Sequence, residues 1–264
     1  MHHPQATSRN SAAQEASRAA AGILARLRAR GPRVHCITNA VAQNFTANVL
    51  LAAGCVPSMT LSAEEVGSFV AGAQGLLVNL GTFDGERRRA TEIAVETAAR
   101  HSLPWVLDPV FVDRAAARAV FARELIGRRP SVARLNHAEF QALAGHTPSR
   151  DAVAAFAGAN RIVVGLSGET DLVTDGERIA ALSNGHPLMA KVTAMGCAAS
   201  ALVGACLAVE PDTFHATVAA LLMIGIAGEM AAEKAEGPGS FAIAIVDALY
   251  NLDGSVLVER AKVI

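Results

Sequence analysis

The chain has 264 residues, 52% of them hydrophobic and 18% charged. That length buries a sizeable core, and so apolar a composition excludes an intrinsically disordered protein. Lys plus Arg number 23 against 24 Asp plus Glu, a formal net charge of −1, so there is no basic excess to neutralise a nucleic-acid backbone. Four cysteines, at 36, 55, 197 and 206, lie far apart without CxxC spacing. That argues against a zinc site or a disulfide scaffold and fits a reduced, cytoplasmic compartment.

In chain order, residues 1–20 are polar and Ala-rich and lack the apolar run of a targeting signal. About ten frayed residues and then a helix over 11–30 are expected. Residues 33–37 read as a strand, 44–54 as a helix ending on a glycine, and 55–59 as a second strand. Ser62-Ala-Glu-Glu65 has the capping-box pattern and predicts a helix opening there. Residues 75–82 form a fully apolar strand that closes in a Gly-Thr turn, 84–101 an amphipathic helix, and 105–110 another buried strand. A helix over 114–127 leads to a strand at 131–136 and to short helices over 138–143 and 151–157. Residues 161–168 are strand-like, and 172–182 predict a hairpin turning at Asp175-Gly176.

The remainder reads as helical. Residues 192–209 carry no charge and 213–228 are nearly as apolar, yet both are rich in Ala, Gly, Ser and Thr. Neither has the basic or aromatic anchors of a membrane span, so two buried core helices are predicted. The alternation of apolar strands with helices implies an α/β fold: one domain over 1–264, with a mainly parallel sheet covered on both faces. In such sheets ligands bind beyond the carboxyl ends of the strands.

Three groups of residues there could carry chemistry. The segment Asn184 to Cys197 ends in a Gly-containing turn that enters an apolar helix. Backbone N–H groups at the positive end of a helix dipole suit a phosphate, and Cys197 would have its thiolate favoured there. A loop–helix junction holding an inert Cys fits the same spacing. Asp108, Asn136 and Glu139 stand at strand ends, where carboxylates can hold Mg²⁺ through oxygen ligands or simply cap helices. Arg134 could clamp a phosphate or pair with a carboxylate. Ser167 opens a Ser-Gly turn that could meet a nucleotide or be an ordinary turn. Walker, GxGxxG and GxSxG motifs do not occur.

Several motifs nevertheless fall in a familiar order over roughly residues 30–250: His35-Cys-Ile-Thr-Asn39, Asn44-Phe-Thr-Ala-Asn48, Asn79-Leu-Gly-Thr82, Leu107-Asp-Pro-Val110, the Ser-Gly-Glu-x-Asp turn at 167–171, Asn184-Gly-His-Pro187, Lys191-Val-Thr193, Gly196-Cys197 and Gly237-Pro-Gly-Ser-Phe241. With these the chain resembles the hydroxyethylthiazole kinases of thiamine salvage. The resemblance implies a ribokinase-like three-layer α/β/α fold and transfer of the ATP γ-phosphoryl group to the primary alcohol of 4-methyl-5-(2-hydroxyethyl)thiazole. It implies that Met59 and the backbone at Ala194 contact the thiazole, with Asn39 nearby, and that Arg134 and Ser167 contact ATP. Asp108 and Glu139 would hold Mg²⁺, Met195 and Gly196 would belong to the anion turn, and Cys197 would lie beside the substrate hydroxyl where sugar kinases of this fold carry an Asp base. A homotrimer with sites between subunits is expected from the same resemblance, without nucleic acid or membrane as partner.

The chain departs from the family pattern in places. Ala194-Met195 stands where many members have Gly-Thr or Gly-Ala, so the turn meets an Ala where φ > 0 is disfavoured and Met195 is expected to add bulk beside the phosphate path. Phe111-Val112-Asp113 replaces Gly-Ala-Gly, and Arg134-Leu135-Asn136 replaces Arg-Gly-Asn. Other readings are a kinase of another small alcohol such as hydroxymethylpyrimidine, a non-catalytic thiazole or nucleotide binder, and a thiol hydrolase with Cys197 as nucleophile and His35 or His186 as base.

Overall fold

A computed structural model describes residues 4–264, with side chains from residue 13 onward; residues 1–3, where the expected frayed start begins, lie outside the described residues. Helix α1 (Pro4–Arg30) begins before residue 11 and enters a single sheet. Its strands are β1 (Arg33–Ile37), β2 (Val56–Ser58), β3 (Gly75–Asn79), β4 (Trp105–Asp108), β5 (Val132–Asn136), β6 (Val163–Ser167), β7 (Asp171–Thr174) and β8 (Ile179–Leu182). They lie in the order β2-β1-β3-β4-β5-β6-β7-β8. Pairing is parallel from β2 to β6 and antiparallel from β6 to β8, with the hairpin where Asp175-Gly176 predicted it.

Helices α2 (Gln43–Ala52), α3 (Val66–Ala71), α4 (Gly85–Arg100), α5 (Ala116–Gly127), α6 (His137–Ala144) and α7 (Arg150–Asn160) connect the strands up to β6. After β8 come α8 (Met195–Leu207), α9 (Thr213–Ala232), α10 (Pro238–Asn251) and α11 (Gly254–Arg260). Successive strand side chains point to opposite faces, and each face builds its own core. Leu77 of β3 joins Ile23, Val49, Leu202, Leu222, Leu249 and Leu257 from α1, α2, α8, α9, α10 and α11. Its neighbours Leu76 and Val78 join Val70, Ala94, Phe121, Phe140 and Val153 from α3 to α7. The result is the expected three-layer α/β/α arrangement.

The two apolar segments are core helices. Helix α9 is long and apolar enough to cross a membrane, but 83% of its most apolar stretch is buried within the protein. Helix α8 lies directly on the sheet: a Cβ at Gly75 of β3 would fall 2.3 Å from the carbonyl oxygen of Gly204. The carboxyl-terminal tail covers the β8 edge, Ile264 N donating to Ala181 O at 2.8 Å. The opposite edge strand, β2, has three residues and leaves Val56 52% exposed.

One local expectation fails. Ser62 does not cap a helix; α3 starts at Val66, and no side chain caps it. The Thr60 hydroxyl donates to the Glu65 carboxylate that the capping box would have used. Residues 62–65 instead close a turn, with Val66 N donating to Ser62 O at 2.9 Å.

Candidate active site

Because β1 and β3 to β6 run parallel, their carboxyl ends deliver Asn39, Asn79, Asp108, Arg134 and Ser167 to one edge of the sheet. The amino end of α8 meets them there. Cys197, the third residue of α8, is half-buried, and its Sγ accepts from Asn39 Nδ2 at 3.4 Å and from Asn79 Nδ2 at 3.2 Å. Asn79 is 1% exposed and fully satisfied. It also donates to Asp108 Oδ2 at 2.8 Å, while its Oδ1 accepts from Gly81 N at 3.0 Å and Asn39 Nδ2 at 3.2 Å. A Cβ at Gly81 would come within 2.7 Å of the Asn39 Cβ, so this turn excludes larger residues. Asn79 heads one of the motifs that carry the resemblance but has no role assigned from the sequence, although a polar residue closing an otherwise apolar strand, as Asp108 does, is the signal that could have given it one.

Ala194 precedes α8 at φ +67°, with no side chain capping the helix. The disfavoured left-handed conformation is therefore adopted by an Ala, at a cost of about 1–2 kcal/mol. The first α8 ladder bond runs from Ala198 N to Ala194 O at 2.9 Å, which leaves the amides of Met195, Gly196 and Cys197 at the open, positive end of the helix. The expectation that Met195 crowds the phosphate path is corrected: its side chain is 7% exposed and lies in the core. Three non-Gly residues at this edge, Thr82, Phe111 and Ala194, have positive φ. The other three, Ser102, Arg129 and Arg161, follow helices at the opposite edge. Strain of this kind persists where the surroundings enforce it.

Glu139 fills the capping role that its position after Asn136 allows. Asn136 Oδ1 accepts from Glu139 N at 2.9 Å and Glu139 Oε2 accepts from Asn136 N at 2.8 Å, a complete capping box. Its other oxygen accepts from Phe111 N at 3.1 Å, tying it to the loop after β4. Arg118 holds that loop in turn, donating to Val110 O at 2.6 Å. Arg134 Nη1 donates to Gly196 O at 3.2 Å, and its Nε is buried without a partner. Ser167 Oγ donates to Leu135 O at 3.2 Å beside them. Met59, one residue past β2, is half-buried at the same edge, two strands from Asn79.

The electrostatics follow from burial around one cation. Burial raises the Asp108 carboxyl above its usual range, opposed by the Arg134 charge, the nearby Ser200 hydroxyl and the hydrogen bond from Asn79. Burial and then the Asp108 charge raise Glu139, opposed by the Asn136 and Phe111 amides and by Arg134. Asp171, the first residue of β7, is raised by burial and relieved by Arg134 and the Gly168 amide. Asp171 and Ser200 were also not assigned to the site from the sequence. Cys197 is pushed up to about 11 by burial and by Asp108, against the donors Asn39 and Asn79 and the Arg134 charge. Of the two readings of Cys197, this environment favours the neutral thiol over the thiolate, because desolvation outweighs the helix end.

The histidines supply no base to that thiol. His35 Nδ1 meets Ser58 Oγ at 2.8 Å and its Nε2 meets Thr60 O at 3.1 Å. His186 Nδ1 accepts from Leu188 N at 3.3 Å, and its ring stacks on Phe241 at 6.4 Å. That stacking joins the Asn-Gly-His-Pro and Gly-Pro-Gly-Ser-Phe motifs. Glu229 of α9 anchors the first of them, accepting from Asn184 Nδ2 and Gly185 N at 3.1 Å each.

These features match known proteins over nearly the whole chain. A model of the hydroxyethylthiazole kinase family matches residues 24–255. A probable hydroxyethylthiazole kinase of Agrobacterium fabrum is 43% identical over 244 residues, covering 92% of this chain and 94% of that protein. The solved structure of a hydroxyethylthiazole kinase protein from Pyrococcus horikoshii superposes with a TM-score of 0.89 at 37% identity, over 93% of this chain and 98% of that one. A ribokinase-like superfamily protein of Enterococcus faecalis shares the fold at a TM-score of 0.65 and 13% identity, over 84% and 88% of the two chains. With the motifs in place at one sheet edge and relatives matching from end to end, the chain belongs to the hydroxyethylthiazole kinase family.

Proposed function

We propose that this chain phosphorylates the primary hydroxyl of 4-methyl-5-(2-hydroxyethyl)thiazole, with ATP as co-substrate, in thiamine salvage. The observation that carries the reading is the joining of Cys197, Asn79 and Asp108 by hydrogen bonds beneath the open end of α8. Phosphoryl transfer asks the protein mainly to position groups and stabilise charge. The amides of Met195, Gly196 and Cys197 face the transferred group, Arg134 and Ser167 bind ATP, and Met59, Asn39 and the Ala194 backbone hold the thiazole. Cys197 sits beside the hydroxyl as a neutral thiol. It orients the alcohol rather than taking its proton early, which suits a loose transition state where that proton leaves late.

Mg²⁺ fits the donor set. Asp108 and Glu139 are buried carboxyls, the first raising the pKa of the second, and their hard oxygens would hold a divalent cation that relieves this repulsion. Among the described residues no cluster of three His, Cys, Asp or Glu forms, so water and phosphate oxygens would complete its shell. When bound, the ion would neutralise phosphate charge.

The same reading treats the chain as one kinase domain, cytoplasmic and homotrimeric. Its described cysteines are free thiols, and Val41, Leu51, Ile243 and Tyr250 leave apolar surface exposed around α2 and α10, near the uncovered β2 edge. The test is ADP release from ATP and Mg²⁺ with and without the thiazole. Thiazole-dependent release supports the kinase, while thiazole binding without release supports a binder instead. Sedimentation of the purified protein checks the trimer.

A further inference from the structure

His35 is fully buried in β1 and uses both ring nitrogens on one short segment. Its Nδ1 meets Ser58 Oγ at 2.8 Å and its Nε2 meets Thr60 O at 3.1 Å, so the two contacts bracket Met59. Burial holds the imidazole pKa down at about 4, with the Thr60 carbonyl opposing. The ring is therefore neutral at pH 7, and one tautomer serves both partners: Nε2–H donates to Thr60 O while Nδ1 accepts from the Ser58 hydroxyl.

Beyond the β1–β2 pairing, which ends at Ser58, and the packing of Met59 against the core, the segment is held mainly by this ring. Strand β2 stops at Ser58, the residue in register with His35, and α3 does not begin until Val66. The Thr60 hydroxyl donates to Glu65 and accepts from Ser62 N at 3.4 Å, which are contacts within the same loop. Among the described residues, only the histidine ties the flanks of Met59 back to the sheet interior by side-chain hydrogen bonds. The Phe69 ring, 5.9 Å from the imidazole, closes its other side. An apolar residue in β1 would satisfy the core equally well, so a buried His whose polar atoms all serve residues 58–60 has a purpose beyond packing.

We infer that His35 is a positioning residue that fixes the 58–60 turn and thereby aims Met59 at the thiazole, setting affinity for the alcohol substrate without touching it. This rests on the proposed assignment of Met59 to the thiazole pocket. The consequence is a KM effect confined to one substrate, because ATP binds on the far side of Cys197 through Arg134 and Ser167.

The experiment measures KM for hydroxyethylthiazole, KM for ATP, kcat and Tm for His35→Leu, His35→Gln, Ser58→Ala and Met59→Ala. Losing one hydrogen bond at Ser58→Ala, a half-buried site that leaves the core intact, raises the thiazole KM about fivefold. His35→Leu raises it about tenfold or more, and His35→Gln, which keeps a donor for Thr60 O, recovers part of the loss. KM for ATP stays at the wild-type value throughout. Equal rises in both KM values, or no rise at Ser58→Ala and His35→Gln while Met59→Ala weakens thiazole binding, overturn the inference and leave the Met59 assignment standing. An unchanged thiazole KM in Met59→Ala overturns both. Should His35→Leu not fold, Ser58→Ala and His35→Gln decide the question.

Discussion

Asn79 donates to Cys197 Sγ at 3.2 Å, and this contact joins the end of strand β3 to the first turn of helix α8 across 118 residues of sequence. The second hydrogen of the same amide goes to Asp108 Oδ2. Sulfur receives two amide donors, counting Asn39, so its lone pairs are engaged and its S–H points elsewhere. The thiol is an oriented neutral group rather than a ready base.

That geometry sets the response to replacing the thiol. Cys197→Ser, which keeps a hydroxyl donor of similar shape, lowers kcat by no more than about 100-fold, the low end of what a general base contributes. A loss near ten-thousandfold would instead assign Cys197 the proton transfer. The rate of alkylation by iodoacetamide, followed against pH, rises toward about pH 11, where burial and Asp108 place the thiol. An inflection below pH 9 would contradict that environment.

Burying the carboxylate of Asp108 costs stability. Its carboxyl is raised by burial, so the folded state binds the proton more tightly than the unfolded chain does. Its contribution to stability is present at pH values below the unfolded pKa and is lost as pH rises through the folded one. Asp108→Asn removes the charge while leaving an acceptor for Asn79. At pH 7 this raises Tm by about 2–4 °C, the shift that ~1 kcal/mol gives in a chain of this size, and the gain shrinks toward pH 4. Activity falls about 1000-fold, as when preorganised charge is removed from a transition state. Thermal melts at both pH values and steady-state rates check the pair of effects, and a lowered Tm at pH 7 would reverse the argument.

Ala194 carries backbone strain that glycine would not. At φ +67° an L-residue is disfavoured by about 1–2 kcal/mol, offset in glycine by a more flexible unfolded chain. Ala194→Gly therefore raises Tm by about 1–3 °C, whereas Ala198→Gly, inside α8, lowers it by a similar amount. Differential scanning calorimetry of the two variants separates conformational strain from any general effect of glycine. Equal destabilisation by both would show that the turn is not strained.

Much of this molecule is written locally. Apolar runs ending in Asn79, Asp108 and Ser167, and the run interrupted by Arg134 that ends in Asn136, mark buried parallel strands and place polar groups at one sheet edge, because side-chain periodicity and strand direction are short-range properties. The Asn136–Glu139 spacing encoded a capping box that forms, and the Asp175-Gly176 dipeptide encoded the hairpin. The equivalent pattern at Ser62 did not become a cap, because the Thr60 hydroxyl reached Glu65 first.

Tertiary structure decided the rest. Strand order brought Asn79 between Asp108 and Cys197, which lie 29 and 118 residues away. Helix phase turned Met195 into the core while leaving its amide at the helix end. Desolvation tipped Cys197 toward the neutral thiol, one of the two states its sequence position allowed. Sequence by itself determined which chemical groups reach the carboxyl edge of the sheet, since each strand carries its own pattern. Which of those groups touch, and in what charge state, depended on the packing of α8 against β3, where two glycines 129 positions apart must meet without side chains between them.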